Sequence, residues 1–304
     1  MRDRLLQQLS APGISQLRLR ARVLAEGLRI GTHRSARRGP GLEFAGHRAY
    51  VPGDDLRWLD HRAVLRQDRL LVKQFETETD RGLRIALDGS ASMGFRSSES
   101  EVTKFEYAAL IGAALASIAT RSGDLVGLDI VAGDDHVSLP TTAGQPAFER
   151  VVAALVAAQP QGSFAESEPE LEGLLARAVH RTAPGSLLLL TGDLLDLPER
   201  APEIIATALP ADRQLVVLQV LDPLELDFSF QGAVRLRSSE GEQEVETNAS
   251  VVRQEYLQRL EALQSRFRDA LVRAGSGLVV ASTSDDPGEV LRTILTTTER
   301  AISE

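Results

Sequence analysis

The chain has 304 residues, 43% of them hydrophobic and 25% charged, enough apolar material to bury a full core and too much for disorder to be the default. It contains no cysteine, which excludes disulfides and thiolate metal sites and leaves any metal to oxygen or imidazole donors. The net charge of −9 is unevenly spread, with 15 Lys and Arg against 10 Asp and Glu in residues 1–80 and 19 against 33 in the rest, so overall acidity argues against nucleic acid as the main partner.

The first residues lack the apolar core and small-residue cleavage site of a secretory signal. The longest apolar stretches fall short of the roughly 18–20 residues that span a bilayer, so a cytoplasmic location without membrane insertion is expected. A helix over 14–26 leads into a stretch punctuated by Gly31, Gly39, Pro40, Gly41, Gly46, Pro52 and Gly53. This punctuation predicts a basic, Gly/Arg-rich lobe of residues 1–80 packed on a sheet domain of residues 81–304. Arg18, Arg20, Arg22, Arg34, Arg37 and Arg38 have no interleaved aromatic residues to stack bases and read as solvated surface. The turn Pro52-Gly53-Asp54-Asp55 reads as gathering Arg48 and Arg57 into a polar cluster. His33, His47 and His61 match no zinc spacing and read as ordinary hydrogen-bonding residues.

From residue 82 onward short apolar runs alternate with helix-period segments, the pattern of a mostly parallel sheet with helices on both faces. Strands are expected over 83–87, 125–131, 186–190, 214–221 and 278–281, most of them apolar on both faces, with a short edge strand over 136–139. Helices are expected over 104–121, 146–158, 168–181, 202–208, 249–274 and 287–298. In the longest, Val252, Tyr256, Leu260, Leu263, Phe267 and Leu271 recur at steps of three or four, one apolar stripe for the core. The polar segment 228–246 reads as an inserted hairpin or loop.

The segment Leu83-Arg-Ile-Ala-Leu-Asp88-Gly-Ser90-Ala-Ser92-Met-Gly94 places a carboxylate at the end of the first apolar strand and two hydroxyls in the following loop. In doubly wound sheets ligands bind at the carboxyl ends of central strands. Asp88, Ser90 and Ser92 alternate, so an extended loop turns all three to one point, an oxygen set suited to Mg²⁺ or Mn²⁺. The plainer alternative is a strand-terminating Asp with two turn-forming serines.

The pattern resembles the Asp-x-Ser-x-Ser motif of the metal-ion-dependent adhesion site of von Willebrand A domains. On that resemblance Asp193, ending the apolar run Leu187–Leu190 through Thr191-Gly192, is the carboxylate that completes the site through water, with Asp196 as its alternative. The site's threonine falls to Thr142 or Thr141.

Three further segments extend the likeness, beginning with Gly31 to Phe44. Next come Arg48-Ala-Tyr50-Val-Pro52-Gly53-Asp54-Asp55-Leu-Arg57-Trp58-Leu-Asp60 and Leu71-Val-Lys73-Gln-Phe75-Glu-Thr-Glu78. With the Asp88 motif, 189–194, 217–225 and Tyr256, they resemble the bacterial family catalogued as domain of unknown function fifty-eight. The family's Ile-Asp-Trp is displaced here to Trp58-Leu-Asp60-His61. The resemblance implies a von Willebrand A-like (Rossmann-like) fold and, as partner, a MoxR-type AAA+ ATPase acting with this chain on a client protein.

Enzymatic readings fare worse. A haloacid dehalogenase-type phosphotransferase needs a second carboxylate where Ser90 stands, no Gly-x-Ser-x-Gly elbow occurs, and there is no Walker A sequence. The expected function is therefore a non-enzymatic interaction module. A metal-independent scaffold is the first alternative and a metal-dependent phosphohydrolase the second.

Overall fold

A computed structural model describes residues 12–28, 38–39, 43–49, 70–76, 82–133, 135–229, 233–237 and 244–303. The Pro52–Asp55 turn, Arg34, Arg37, Arg57, His33 and His61 lie outside the described residues.

The chain divides into two compact units, one of residues 29–80 and one of residues 1–28 with 81–304. The smaller unit contains an antiparallel sheet of β1 (Arg38–Gly39), β2 (Glu43–Ala49) and β3 (Leu71–Glu76), in the order β1-β3-β2. The helix expected in the first lobe, α1 (Pro12–Gly27), belongs instead to the larger unit. It packs on three helices of that unit and buries Ala21 and Ala25. Arg18 and Arg22 reach Glu149 at 3.5 and 3.2 Å, and Arg22 also lies 5.4 Å over the Phe148 ring. These two arginines are thereby tied into the domain.

The larger unit is built on a six-stranded sheet. In chain order its strands are β4 (Gly82–Asp88), β5 (Leu125–Ala132), β6 (Asp135–Thr142), β7 (Leu187–Gly192), β8 (Gln214–Leu221) and, after a separate hairpin, β11 (Gly277–Ser282). Their order across the sheet is β11-β8-β7-β4-β5-β6. All pairs are parallel except β5 with β6. The helices are α2 (Lys104–Arg121), α3 (Gly144–Ala157), α4 (Glu168–His180), α5 (Ala201–Thr207), the short α6 (Pro223–Asp227), α7 (Ala249–Arg273) and α8 (Pro287–Ser303). One face of the sheet is covered by α4, α5 and α7, where Leu171, Leu188, Leu190, Ile205, Val217 and Phe267 share one core. The other face carries α2, α3 and α8. The expected fold class, α/β with a mostly parallel sheet between helices, is the one observed, and no described helix is long and apolar enough to cross a membrane.

Two sequence features explain why α2 forms where it does. Thr103 and Glu106 close a reciprocal capping box at its start, which satisfies amide groups that the first turn leaves unpaired. Beyond it Ala108, Ala113, Ala114 and Ala116 are fully buried, so the helix is apolar nearly all round and sits centrally on the sheet. The polar segment near 228–246 contains the antiparallel hairpin of β9 (Ala233–Arg237) and β10 (Glu244–Asn248). The stripe on α7 faces the core, with Leu260, Phe267 and Leu271 buried.

At the far edge, Arg84 on β4 is 1% exposed and donates through Nε to Asp129 Oδ2 at 2.7 Å on β5. It also donates to the Leu139 carbonyl and the Ser138 hydroxyl of β6. This buried pair pins the antiparallel edge strand to the parallel sheet. Because β6 runs antiparallel, its last residue, Thr142, pairs with Val126 near the start of β5, while Asp88 pairs with Val131. Five residues at about 3.3 Å each put Thr142 roughly 16 Å along the sheet from the Asp88 end.

Candidate functional site

Strand order locates the site before any side chain is considered. From β4 the chain passes to β5 on one side, while β7 lies on the other side of β4, so the crevice at the carboxyl ends of β4 and β7 is a topological switch point. Asp88 ends β4 and Asp193 directly follows Gly192, the last residue of β7.

After Asp88 the chain turns through Gly89 and enters a short 3₁₀ helix, Ala91–Gly94. Asp88 Oδ1 accepts the Ser90 amide at 2.8 Å, and the hydroxyls of Ser90 and Ser92 lie 3.1 Å apart. All three residues are buried. Together with Ser163, Phe164, Ala165, Asp193, Asp196 and Leu197 they line one cavity of about 10 Å³, room for a single water or ion.

The expected residues Asp88, Ser90, Ser92 and Asp193 therefore come together. Thr142 does not: it lies at the opposite end of the sheet, where its hydroxyl accepts from Arg150, and Thr141 donates to the Arg181 carbonyl at 3.3 Å. The third loop at the cavity is instead the one after α3, which carries Ser163. Its approach depends on two glycines with φ near +60°, Gly133 and Gly162. A Cβ on Gly162 would stand 2.6 Å from the Gly133 Cα, a contact only a residue without a side chain tolerates. Backbone bonds Ala91 N to Gly162 O (2.9 Å) and Gln161 N to Gly89 O (2.9 Å) hold this loop against the Asp88 loop, and Gly133 N to Ser163 O (3.0 Å) ties it to the end of β5.

The sequence pattern did not single out two further components. Gly192 passes so close to Asp88 that a Cβ there would meet the carboxylate at 2.8 Å. Lys104, the first residue of α2, is 0% exposed. Its ammonium donates to Asp193 Oδ2 at 2.8 Å and Glu225 Oε1 at 2.7 Å. Burial alone would weaken this ammonium, but the two carboxylates outweigh it and hold Lys104 above its ordinary pKa. Burial pushes Glu225 up from the usual carboxylate range, opposed by Lys104. Burial, reinforced by repulsion from Asp193, also raises Asp196. The surrounding framework is tight: Asp193 Oδ1 accepts the Leu195 amide at 3.2 Å, its carbonyl accepts from Gln219 at 2.8 Å, and Leu194 adopts a left-handed φ of 61°. A buried leucine held there is local strain sustained by its surroundings.

The donor set fits a hard cation. Octahedral Mg²⁺ with ligands at about 2.0–2.1 Å places neighbouring oxygens about 3 Å apart, and the Ser90–Ser92 hydroxyl separation of 3.1 Å matches. Among the described residues no three His, Cys, Asp or Glu side chains gather as a metal cage, so a cation would rest on Asp88 and hydroxyl oxygens.

Fold and site together define the class: a doubly wound α/β protein with a small oxygen-lined cavity at its switch point. The chain belongs to the family described as protein of unknown function DUF58, whose model matches residues 46–266. No curated protein matches the sequence. Solved structures similar to it include an aerotolerance-related membrane protein from Bacteroides fragilis, 14% identical, with a TM-score of 0.48 over 72% of this chain and 99% of that one. The conserved hypothetical protein BatB from Bacteroides thetaiotaomicron is 16% identical, with a TM-score of 0.45 over 74% of this chain and 100% of that one. A von Willebrand factor type A protein from Catenulispora acidiphila is 13% identical, with a TM-score of 0.38 over 76% of this chain and 44% of that one.

Proposed function

We propose that this chain is a non-enzymatic protein–protein interaction module that holds Mg²⁺ or Mn²⁺ on Asp88, Ser90 and Ser92, with Asp193 acting through water. The observation that carries the reading is the convergence of these residues on one ion-sized cavity at the switch point, with hydroxyl spacing suited to octahedral coordination. A metal held by a single carboxylate keeps excess positive charge and an open position, which suits an acidic side chain of a partner. Family resemblance supplies the partner class: a cytoplasmic MoxR-type AAA+ ATPase, for which the chain serves as adaptor in maturing or remodelling a client protein.

One observation favours a second reading, a metal-independent scaffold. Lys104 already sets a positive charge on Asp193, so the cavity's carboxylates are partly neutralised without a metal.

Calorimetric titration of Mg²⁺ and Mn²⁺ into the purified chain and into Asp88→Ala, alone and with the ATPase, separates the two. Saturable binding abolished by Asp88→Ala, with ATPase affinity falling in parallel, is expected. An ATPase complex of equal affinity in EDTA and in Mg²⁺ would leave the scaffold.

A further inference from the structure

The chain has 32 arginines and only two lysines, Lys73 and Lys104. One of the two is fully buried beside the candidate metal cavity. An ammonium is a compact point charge, whereas the wider planar guanidinium seeks bidentate partners. Here that point charge bridges Asp193, which lines the cavity, to Glu225 on α6. With Leu195 N on Oδ1 and Lys104 Nζ on Oδ2, both oxygens of Asp193 carry a donor.

We propose that Lys104 is a specificity-determining positioning residue that withholds Asp193 from direct coordination, lowering the cavity's affinity for divalent cations so that a bound ion keeps positive charge for an acidic partner. This rests on the metal reading above. Two geometric facts support it. The Lys104–Asp193 contact is buried on both sides, with side chains 1% and 4% exposed, so solvent does not screen it. Lys104 is also fixed at its root: its amide bonds Phe95 O at 3.3 Å, and the Thr103 capping box sets the first turn of α2. The side chain therefore starts from a fixed point, and the ammonium leaves Asp193 only by giving up two buried carboxylate partners.

Removing Lys104 alone leaves two buried carboxylates uncompensated, a costly change. The informative variant is Lys104→Met with Glu225→Gln. One positive and two negative charges become a single negative charge, so the net charge of the group is unchanged while Asp193 is released toward the cavity. Mg²⁺ is titrated calorimetrically into the full chain, into this double variant and into the double variant carrying Asp88→Ala, with thermal unfolding as the check on folding.

The double variant is expected to bind Mg²⁺ at least about tenfold more tightly, still dependent on Asp88. If the native chain binds through Asp88 and the double variant binds no tighter, the role of Lys104 is overturned and the metal reading stands. If only the double variant binds, Lys104 does withhold Asp193, and metal binding by the native chain falls. If neither binds, both fall. Glu225→Gln alone keeps Lys104 and concentrates its charge on Asp193. It should weaken Mg²⁺ binding severalfold, and an unchanged Kd there overturns the proposal even if the double variant does not fold.

Discussion

Gly192→Ala tests the site through backbone geometry, without replacing any candidate ligand. The new Cβ would stand 2.8 Å from both Cβ and Oδ2 of Asp88, where ordinary contact begins at 3.4 Å, so something must move about 0.6 Å. The backbone is poorly placed to yield, because β4 is paired on both sides, with β5 and with β7. The Asp88 side chain must therefore turn away, straining its 2.8 Å bond to the Ser90 amide. Overpacking of this kind costs about 1–3 kcal/mol. Metal sites tolerate ligand displacements of only about 0.2 Å, so the Kd for Mg²⁺ should rise at least about tenfold, or about 1.4 kcal/mol. Urea unfolding followed by circular dichroism measures the first quantity and calorimetry the second. A folded Gly192→Ala protein that binds Mg²⁺ with native affinity would refute the reasoning, because the carboxylate crowded by the new methyl group would then not be a ligand.

Asp129→Ala removes the carboxylate that compensates the buried Arg84, leaving a charge with only the Ser138 hydroxyl and the Leu139 carbonyl. A loss of about 3–5 kcal/mol in urea unfolding is expected, and a loss below 1 kcal/mol would contradict it. Thr142→Ala should leave the Mg²⁺ Kd unchanged in calorimetry, while Ser163→Ala, at the cavity wall, should weaken it. Tyr256 is raised from 10.0 to about 12, by burial first and then by the negative charges of Glu225 and Asp193. Its folded form keeps the proton that the unfolded chain releases, so stability falls as pH rises from 10 to about 12. Tyr256→Phe, which retains the ring packed 4.8 Å from Phe228, should flatten that part of a melting-temperature profile.

Elements whose signals are local were readable in advance. The helix over 104–121 has its capping box at Thr103 and Glu106, and the strand over 214–221 is rich in valine and leucine, interrupted only by Gln219 after its first residue; both have the expected bounds. The Asp88 motif was equally legible because its alternation is a property of five consecutive residues, 88–92. Thr142 was misassigned because order along the chain does not say at which end of a sheet a loop emerges. The antiparallel turn of β6 sends Thr142 to the amino end, and the loop after α3 returns Ser163 to the carboxyl end. Lys104 was hidden because at the start of a helix it reads as a solvated charge. Its partners lie 89 and 121 residues away, and the rarity of lysine in this chain was the one available hint. The helix Pro12–Gly27 joining the sheet domain is likewise a matter of tertiary packing, since the glycine-rich stretch that marks a boundary follows the helix rather than precedes it.

Three neighbouring strands end at an aspartate, and the donors around each assign different tasks. Asp222, after β8, is 0% exposed and accepts the amides of Ser97 and Leu224 at 2.9 and 3.0 Å. It thereby caps α6 and ties down the far end of the loop that carries Ser90 and Ser92. Asp193, after β7, is held by Lys104 and the Leu195 amide, and a glutamine relay from Gln264 through Gln219 fixes its carbonyl to α7. Asp88 is accompanied in the cavity by two hydroxyls at ligand spacing. A loop anchored at both ends, by the Gly89 backbone bonds and by Asp222, loses little freedom when it closes on an ion, so these anchors preorganise the Asp88 set. This division implies that Asp222→Asn, which keeps one acceptor oxygen for the two amides, should lower Mg²⁺ affinity by loosening the loop and leave the charge at the cavity wall unaltered. Raising ionic strength should then weaken binding by the same factor in Asp222→Asn as in the native chain. A steeper or flatter salt dependence in the variant would mean that Asp222 acts on the cavity through its charge and not through the loop.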